Sequence, residues 1–335
     1  MDLPRNPYPS IVHDKDLVTI LNTSFFDDVR FQTYLEQEIH QTQILLLDDL
    51  ASIGLSEEPD IHVSTPEIFQ KLVKEAVMTT DHILQMQPLP KMPTFRLYHA
   101  YSFDVMKTAA STLIAGSLFD VMLGSYVPHT LIDPACNKIY LACGIINTLN
   151  FFLICVNRFE DLHKWTDKDI NGFFDQPHKK CFIRKGQTMP NTFFTIAHEY
   201  AHARNYSAFP SRFYPHILSE GIATYAEIEA GRAHARTTNN NRLHRDAESQ
   251  RLFALSAVEH ACSFTPDQRT RLFLDHKNKH ELGYALVDFL AQPAYGGIKN
   301  IHSLLHGNYD PIYCFIDQAK KTSPDQPDFN AASIN

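Results

Sequence analysis

The segment His198–His202, which reads His-Glu-Tyr-Ala-His, carries residue types that can bind a metal and activate water. Two histidines four positions apart in a helix lie on one face, about one turn from each other, so both imidazoles can reach one Zn²⁺. Glu199, between them, would stand beside the metal as a general base. Glu220, in the later segment 219–225, is a candidate third ligand, and a water would complete a tetrahedron. These residues predict a zinc-dependent hydrolase, with peptide bonds as the first expected substrate.

The sequence around the two histidines predicts the helix that would hold them. Pro190 followed by Asn191 or Thr192 suits a helix start, because short polar side chains accept the free backbone N–H groups there. Apolar residues then recur at helical spacing, and neither proline nor glycine interrupts residues 191–207. The histidine pair therefore falls in the middle of a predicted helix.

A second predicted helix would bring Glu220 to the histidines. It begins near Pro215, which suits a first-turn position, and Gly231 suits its C-terminal end. A turn at residues 209–211 would allow this helix to return antiparallel to the first one. Glu220 would then face the histidine pair.

The two segments together, HEYAH and LSEGIATYAE, resemble the gluzincin metallopeptidases, closest in wording to their aminopeptidase-type, thermolysin-like branch. The resemblance implies a thermolysin-like zincin core with one Zn²⁺ per chain. It further implies that His198, His202 and Glu220 are the zinc ligands and that Glu199 is the base. The metzincins are a poorer match, since they need a third histidine at position 208, where this chain has Ala208.

Residues 280–290 (HELGYALVDFL) resemble, more weakly, the Y-x-x-G-x-A-L helix that follows in those peptidases, where the leading tyrosine stabilises the oxyanion. His280 occupies that position here and Tyr284 lies one turn later, so either residue is a candidate for this catalytic role. The sequence has no convincing G-x-M-E-N strand, the element that binds a free amino terminus in the aminopeptidases. An endopeptidase is therefore the first expectation. An aminopeptidase, or a binding or scaffold protein that keeps the fold without turnover, is the alternative.

Other polar residues near these helices have candidate roles. Thr224 and Glu227 follow Glu220 on its helix and could accept a hydrogen bond from a ligating imidazole, although a solvated helix charge is the simpler interpretation of Glu227. His276 and His280 are also four positions apart. The polar and cationic residues between them suit a loop, which disfavours a second metal site there.

Composition describes an ordinary globular chain. The 335 residues are 44% apolar and carry a formal net charge of −8. The 30 basic residues are spread along the chain without a basic stripe, so nucleic acid is not an expected partner. A protein or peptide substrate is the expected partner instead.

The cysteines and the amino terminus indicate the expected compartment. The six cysteines form no C-x-x-C motif and no disulfide-like spacing, so reduced, mostly buried thiols are expected. The first residues show no signal-peptide pattern, which predicts a cytoplasmic location. A bacterial effector exported without a leader would have the same amino terminus. The most apolar stretch, 139–156, has polar residues near its centre, which favours buried strands over a membrane span.

The order of predicted elements indicates an α+β fold that is predominantly helical, with a small mixed sheet. Three prolines within residues 87–93 mark a boundary, because proline cannot continue a helix. The expected regions are a helical region at 1–92, an α+β lobe with the HExxH helix at 93–212, a helical lobe with Glu220 at 213–320, and a disordered tail at 321–335. The metal would lie in the cleft between the two lobes.

The sequence predicts strands at 95–101, within 137–156 and at 181–184. The last of these directly precedes the HExxH helix, and in gluzincins an edge strand near this place pairs with an extended substrate. The remaining predicted helices are 31–55, 65–86, 107–123, 214–230, 246–261, 266–276, 281–292, 297–306 and 311–320.

Overall fold

The computed structural model describes residues 13–52, 62–63, 65–98, 170–209, 214–274 and 278–322. Its contacts divide the chain into two compact units, residues 1–96 with 174–335, and residues 97–173. The second unit is described only at 97–98 and 170–173. The predictions for 107–123, for 137–156, for His276 and for the tail beyond Thr322 lie outside the described residues.

The fold is α+β and predominantly helical, which confirms the predicted class. The described helices are α1 (Asp14–Ser24), α2 (Val29–Ser52), α3 (Pro66–Ile83), α4 (Met189–Ala208), α5 (His216–Thr238), α6 (Asn241–Cys262), α7 (Pro266–Leu274), α8 (Lys279–Leu290), α9 (Ile298–Leu305) and α10 (Asp310–Thr322). The described strands are β1 (Thr94–Tyr98), β2 (Gly172–Asp175) and β3 (Lys180–Arg184). They form one small sheet in the order β1-β3-β2.

Local capping explains where α3 and α4 begin. Helix α3 starts as predicted, because Thr65 Oγ1 accepts a hydrogen bond from the Ile68 backbone N–H and Pro66 occupies the first turn. Helix α4 starts earlier than predicted. Its cap is Thr188, whose Oγ1 accepts from the Asn191 backbone N–H, so the predicted start at 190–192 already lies in the first turn.

Helix α5 does not end at Gly231, and this part of the prediction was wrong. The helix continues to Thr238 and stops at Asn239, which adopts the left-handed conformation with φ of 52°. Gly231 serves packing instead, because a Cβ at this position would overlap the aromatic ring of Phe194 on α4. The glycine permits close approach of α4 and α5 rather than terminating a helix.

Helix α5 is the central element of the larger unit and contacts α3, α4, α6 and α8. The N-terminal helices complete this core, since α1 packs on α7 and α2 packs on α6. Aromatic side chains fill the space between α1, α2 and α8; the ring centroids of Phe31 and Phe289, for example, lie 5.1 Å apart. Among the described residues, no helix is long and apolar enough to cross a membrane.

Three of the six cysteines lie in the described part of the chain, and all three are free thiols. Cys181 on β3 is buried, as expected for a reduced core thiol. Cys262 is partly exposed and Cys314 is exposed, so burial does not hold for all of them.

Candidate metal centre

Helices α4 and α5 run antiparallel and present their polar faces to each other. Near one end of the pair the ring of Phe193 stacks on His234, with centroids 4.7 Å apart. Near the other end Asn205 Nδ2 donates a hydrogen bond to Ser219 Oγ at 3.2 Å. As the residue number rises along α4 it falls along α5, which is the arrangement expected from the sequence. Glu220 is thereby brought against the two histidines of α4.

The three predicted ligands converge at one point. His198 Nε2 lies 3.1 Å from His202 Nε2, and Glu220 Oε2 lies 3.3 Å and 3.2 Å from these two nitrogens respectively. Donor atoms around a tetrahedral Zn²⁺ with bonds near 2.0 Å stand about 3.3 Å apart. The observed spacing therefore fits a tetrahedral ion, and within the described residues this is the one group of three or more such side chains close enough to hold a metal.

Each histidine of the group has a partner for its other ring nitrogen. His198 Nδ1 lies 2.9 Å from Glu227 Oε2, and His202 Nδ1 lies 3.1 Å from Ser219 Oγ. Ligating histidines commonly donate the second ring N–H in this way, which leaves the Nε2 lone pair for the metal. Glu227 is thus bonded to an imidazole and is not a purely solvated charge.

Sequence reasoning missed two of these supporting residues, Ser219 and Asn205. Ser219 directly precedes Glu220, and its hydroxyl receives hydrogen bonds from both His202 and Asn205. The available signal was positional, because Asn205 stands one turn after His202 on the same helix face. Neither residue type is specific enough in sequence to reveal such a bond.

The pKa of His198 is raised and the pKa of Glu220 is lowered, because each group stabilises the charged form of the other. Burial opposes protonation of His198, but its hydrogen bonds to the carboxylates of Glu220 and Glu227 outweigh burial and hold its pKa well above the usual value. Burial favours the neutral form of Glu220, yet the nearby charge of His202 and the hydrogen bonds of both histidines hold its pKa well below the usual range. The centre is therefore a place where positive charge is favoured beside the Glu220 carboxylate.

Glu199 lies on α4 between the histidines and is only 5% exposed. Burial raises the pKa of its carboxyl group, and the charges of His198 and His202 oppose that rise. Its backbone carbonyl accepts a hydrogen bond from the Cys181 thiol, whereas no described residue donates one to its carboxylate.

The structure brings His280 to the centre and directs Tyr284 elsewhere. His280 Nδ1 lies 3.4 Å from Glu220 Oε2 and 3.3 Å from Thr224 Oγ1, and the side chain is 39% exposed. Thr224 thus contacts His280 and not a ligating histidine. The Tyr284 hydroxyl is fully buried, where it accepts a hydrogen bond from Arg251 and donates one to Asp288. Burial also raises the pKa of Tyr284 well above its usual value.

A contact between two glycines sets the distance between Glu220 and His280. Gly221 on α5 and Gly283 on α8 face each other so closely that a Cβ on Gly221 would lie 2.6 Å from the Gly283 Cα. A Cβ on Gly283 would likewise lie 2.7 Å from the backbone nitrogen of Gly221. Only glycine permits this approach, because both obstructing groups are backbone. The two helices therefore cross at the point where they deliver their polar residues.

The opposite face of α4 is fixed by a buried ion pair with α3. Arg204 Nε donates to Asp81 Oδ1 at 2.9 Å, and the Tyr200 hydroxyl donates to the same carboxylate at 3.0 Å. Arg204 also donates to the backbone carbonyl of Gln87. These bonds fix α4 on the side opposite to the candidate metal ligands. Residues of the N-terminal region, on α3 and just after it, therefore help to position the HExxH helix.

Strand β3 does not offer a free edge to a substrate. It lies between β1 and β2, and both of its sides are hydrogen-bonded within the sheet. The expectation that residues 181–184 pair with an extended substrate was therefore wrong. Strand β2, which the sequence did not predict, occupies one side, because a four-residue turn returns the chain directly from β2 to β3.

Comparison with protein-family models, curated proteins and solved structures finds no match to this chain.

Proposed function

We propose that the chain is a zinc-dependent peptidase of gluzincin type, with an endopeptidase activity on proteins or peptides and a thermolysin-like catalytic core. One observation carries the proposal: His198 Nε2, His202 Nε2 and Glu220 Oε2 lie 3.1–3.3 Å apart. Both remaining imidazole nitrogens already have hydrogen-bond acceptors. Histidines that bind a metal commonly have such outer partners, which support the proposal further.

A Zn²⁺ held by these residues would polarise a substrate carbonyl and lower the pKa of a water ligand to about 7. The buried Glu199 carboxylate would accept a proton from the attacking water and pass it to the leaving amine. Burial raises the pKa of Glu199 above that of a free carboxyl group, which makes its carboxylate a better proton acceptor.

His280 is the proposed stabiliser of the developing oxyanion. Its Nδ1 can accept a hydrogen bond from the Thr224 hydroxyl, which orients the ring and leaves the single proton of the neutral imidazole on Nε2, where it can be donated to a substrate oxygen. The partly exposed side chain is accessible to a substrate, unlike the buried hydroxyl of Tyr284. A single donor of this kind contributes about 3–4 kcal/mol to the stabilisation of a transition state.

The decisive experiment compares the native chain with Glu199→Gln for zinc content and for cleavage of a broad peptide library. We expect the variant to keep about one Zn²⁺ per chain and to lose about 10²–10⁴-fold in rate, because only the proton acceptor is removed. Glu67→Gln, in the exposed first turn of α3, is the matched control and should behave as the native chain does.

Three other outcomes would overturn the proposal or change the proposed class of protein. A native chain without zinc would overturn the proposal. Zinc without cleavage in either form would indicate a binding protein. Cleavage that disappears when the peptide amino termini are acetylated would indicate an aminopeptidase.

A further inference from the structure

The carboxylate of Asp14, the first residue of α1, lies where the N-termini of α5 and α8 meet. Asp14 Oδ1 accepts a hydrogen bond from the backbone N–H of Ile217 at 2.9 Å, and Asp14 Oδ2 accepts one from Lys279 Nζ at 2.8 Å. Ile217 is the second residue of α5, and Lys279 is the first residue of α8. One carboxylate therefore bonds to both of the helices that deliver Glu220 and His280.

The start of α5 needs such a partner from outside. Its N-cap is Pro215, whose side chain makes no capping hydrogen bond, so the first backbone N–H groups have no local acceptor. Asp14 supplies that acceptor from 203 positions away in the chain. Its negative charge also suits the positive end of the α5 dipole and the ammonium group of Lys279. The Asp14 and Lys279 side chains are mostly buried, which limits the screening of this ion pair by solvent.

Both bonds are close to the candidate metal centre along the chain. Glu220 follows Ile217 by three residues, about one helical turn, and His280 directly follows Lys279. The contact between Gly221 and Gly283 joins the same two helices, directly after Glu220 on α5 and about one turn after His280 on α8. Without Asp14, the starts of α5 and α8 would lose the hydrogen-bonding side chain that they share and would depend more on packing, so the 3.4 Å approach of His280 to Glu220 would loosen.

We propose that Asp14 is a positioning residue that holds Glu220 and His280 in place relative to the histidine pair. This inference rests on the proposed metal centre. Helix α1, the first helix in the described part of the chain, thereby contributes to the site, although none of the motifs includes it.

The test measures metal binding in the full-length protein with Asp14→Ala, Asp14→Asn and Lys279→Met. Zn²⁺ affinity is obtained by competition with a chromophoric chelator, and the visible spectrum of Co²⁺ bound in place of Zn²⁺ reports the ligand geometry. Asp14→Ala loses both bonds, so we expect about tenfold weaker Zn²⁺ binding and an altered Co²⁺ spectrum. Asp14→Asn keeps an acceptor for Ile217 and loses only the ion pair, so it should match Lys279→Met, with a smaller loss than Asp14→Ala.

Asn22→Ala is the matched control on the same helix. Asn22 Nδ2 anchors α1 to α7 by donating to the Pro266 carbonyl at 3.1 Å and to Thr270 Oγ1 at 2.8 Å, away from α5 and α8. This variant should lower thermal stability and leave Zn²⁺ affinity unchanged. An equal loss of Zn²⁺ affinity in Asn22→Ala and Asp14→Ala would overturn the proposal, because docking of α1 as a whole would then be responsible.

The remaining outcomes separate this inference from the proposed function. Native protein that binds Zn²⁺, together with folded Asp14→Ala of unchanged affinity and Co²⁺ spectrum, would refute the role of Asp14 alone. Native protein that binds neither ion would refute the metal centre, and the role of Asp14 with it. If Asp14→Ala does not fold, the comparison of Asp14→Asn with Lys279→Met decides, since unequal effects would contradict a shared ion pair.

Discussion

Replacing Gly221 by alanine places a methyl group against backbone atoms that cannot turn away. The new Cβ would lie 2.6 Å from the Gly283 Cα, whereas carbon atoms in favourable contact are about 3.5–4.0 Å apart. Helices α5 and α8 must therefore separate by about 1 Å. Overpacking of this kind destabilises a core by about 1–3 kcal/mol, and the rigid obstruction favours the upper end. The better helix propensity of alanine offsets about 1 kcal/mol, which leaves a net loss of about 2 kcal/mol.

The assay is urea unfolding in the presence of a chelator, so that metal binding does not contribute to the measured stability. A second measurement follows function: a shift of about 1 Å moves His280 away from Glu220 and should lower kcat by about 10²-fold. One Zn²⁺ per chain should still bind, since all three ligands lie on α4 and α5, but with an affinity lowered by about tenfold, as expected for Asp14→Ala, because Gly221 adjoins Glu220. Gly231→Ala in the same helix is the control, because it meets the ring of Phe194 and lies away from α8. Gly221→Ala protein with native stability would refute the backbone contact.

Three further predictions concern the centre and its supports. In steady-state kinetics, His280→Ala should lower kcat by about 10²-fold with little change in KM. In urea unfolding, Tyr284→Phe should lower stability by about 1 kcal/mol and leave kcat unchanged. The reverse pattern would assign the oxyanion role to Tyr284. Glu227→Gln should weaken Zn²⁺ binding by about 10–100-fold in chelator competition, because His198 loses a charged acceptor; an unchanged affinity would count against that bond. Asp81→Ala should cost about 3–5 kcal/mol in the same unfolding assay, since it leaves a guanidinium buried without its partner, and a loss below about 1 kcal/mol would contradict the buried pair.

The parts of the fold that depend on neighbouring residues were predictable from the sequence. The start of α3 at Thr65–Pro66 follows from a cap and a first-turn proline, and both act inside one turn. The shared face of His198 and His202 follows from helical spacing alone. For the same reason the predominantly helical character of the chain could be recognised without any knowledge of its packing.

The remaining features depend on tertiary contacts that local rules do not contain. Gly231 satisfies the composition rule for a helix end, but the ring of Phe194 determines its actual role. His280 and Tyr284 are one turn apart, and periodicity could not decide which of them faces the centre. Hydrogen bonds to Arg251 and Asp288 keep the Tyr284 hydroxyl away from the candidate metal centre, and only the three-dimensional structure reveals these bonds.

The bonds of Asp14 also constrain the order of events during protein synthesis. Its two partners are 203 and 265 positions further along the chain, so α1 leaves the ribosome long before either exists. At typical elongation rates of about 5–20 residues per second, this interval is roughly 10–50 s. Throughout that time Leu17 and Leu21, which are buried in the finished protein, lack the surfaces that cover them. We therefore expect nascent chains to need chaperone protection, and cation uptake to follow release of the completed polypeptide.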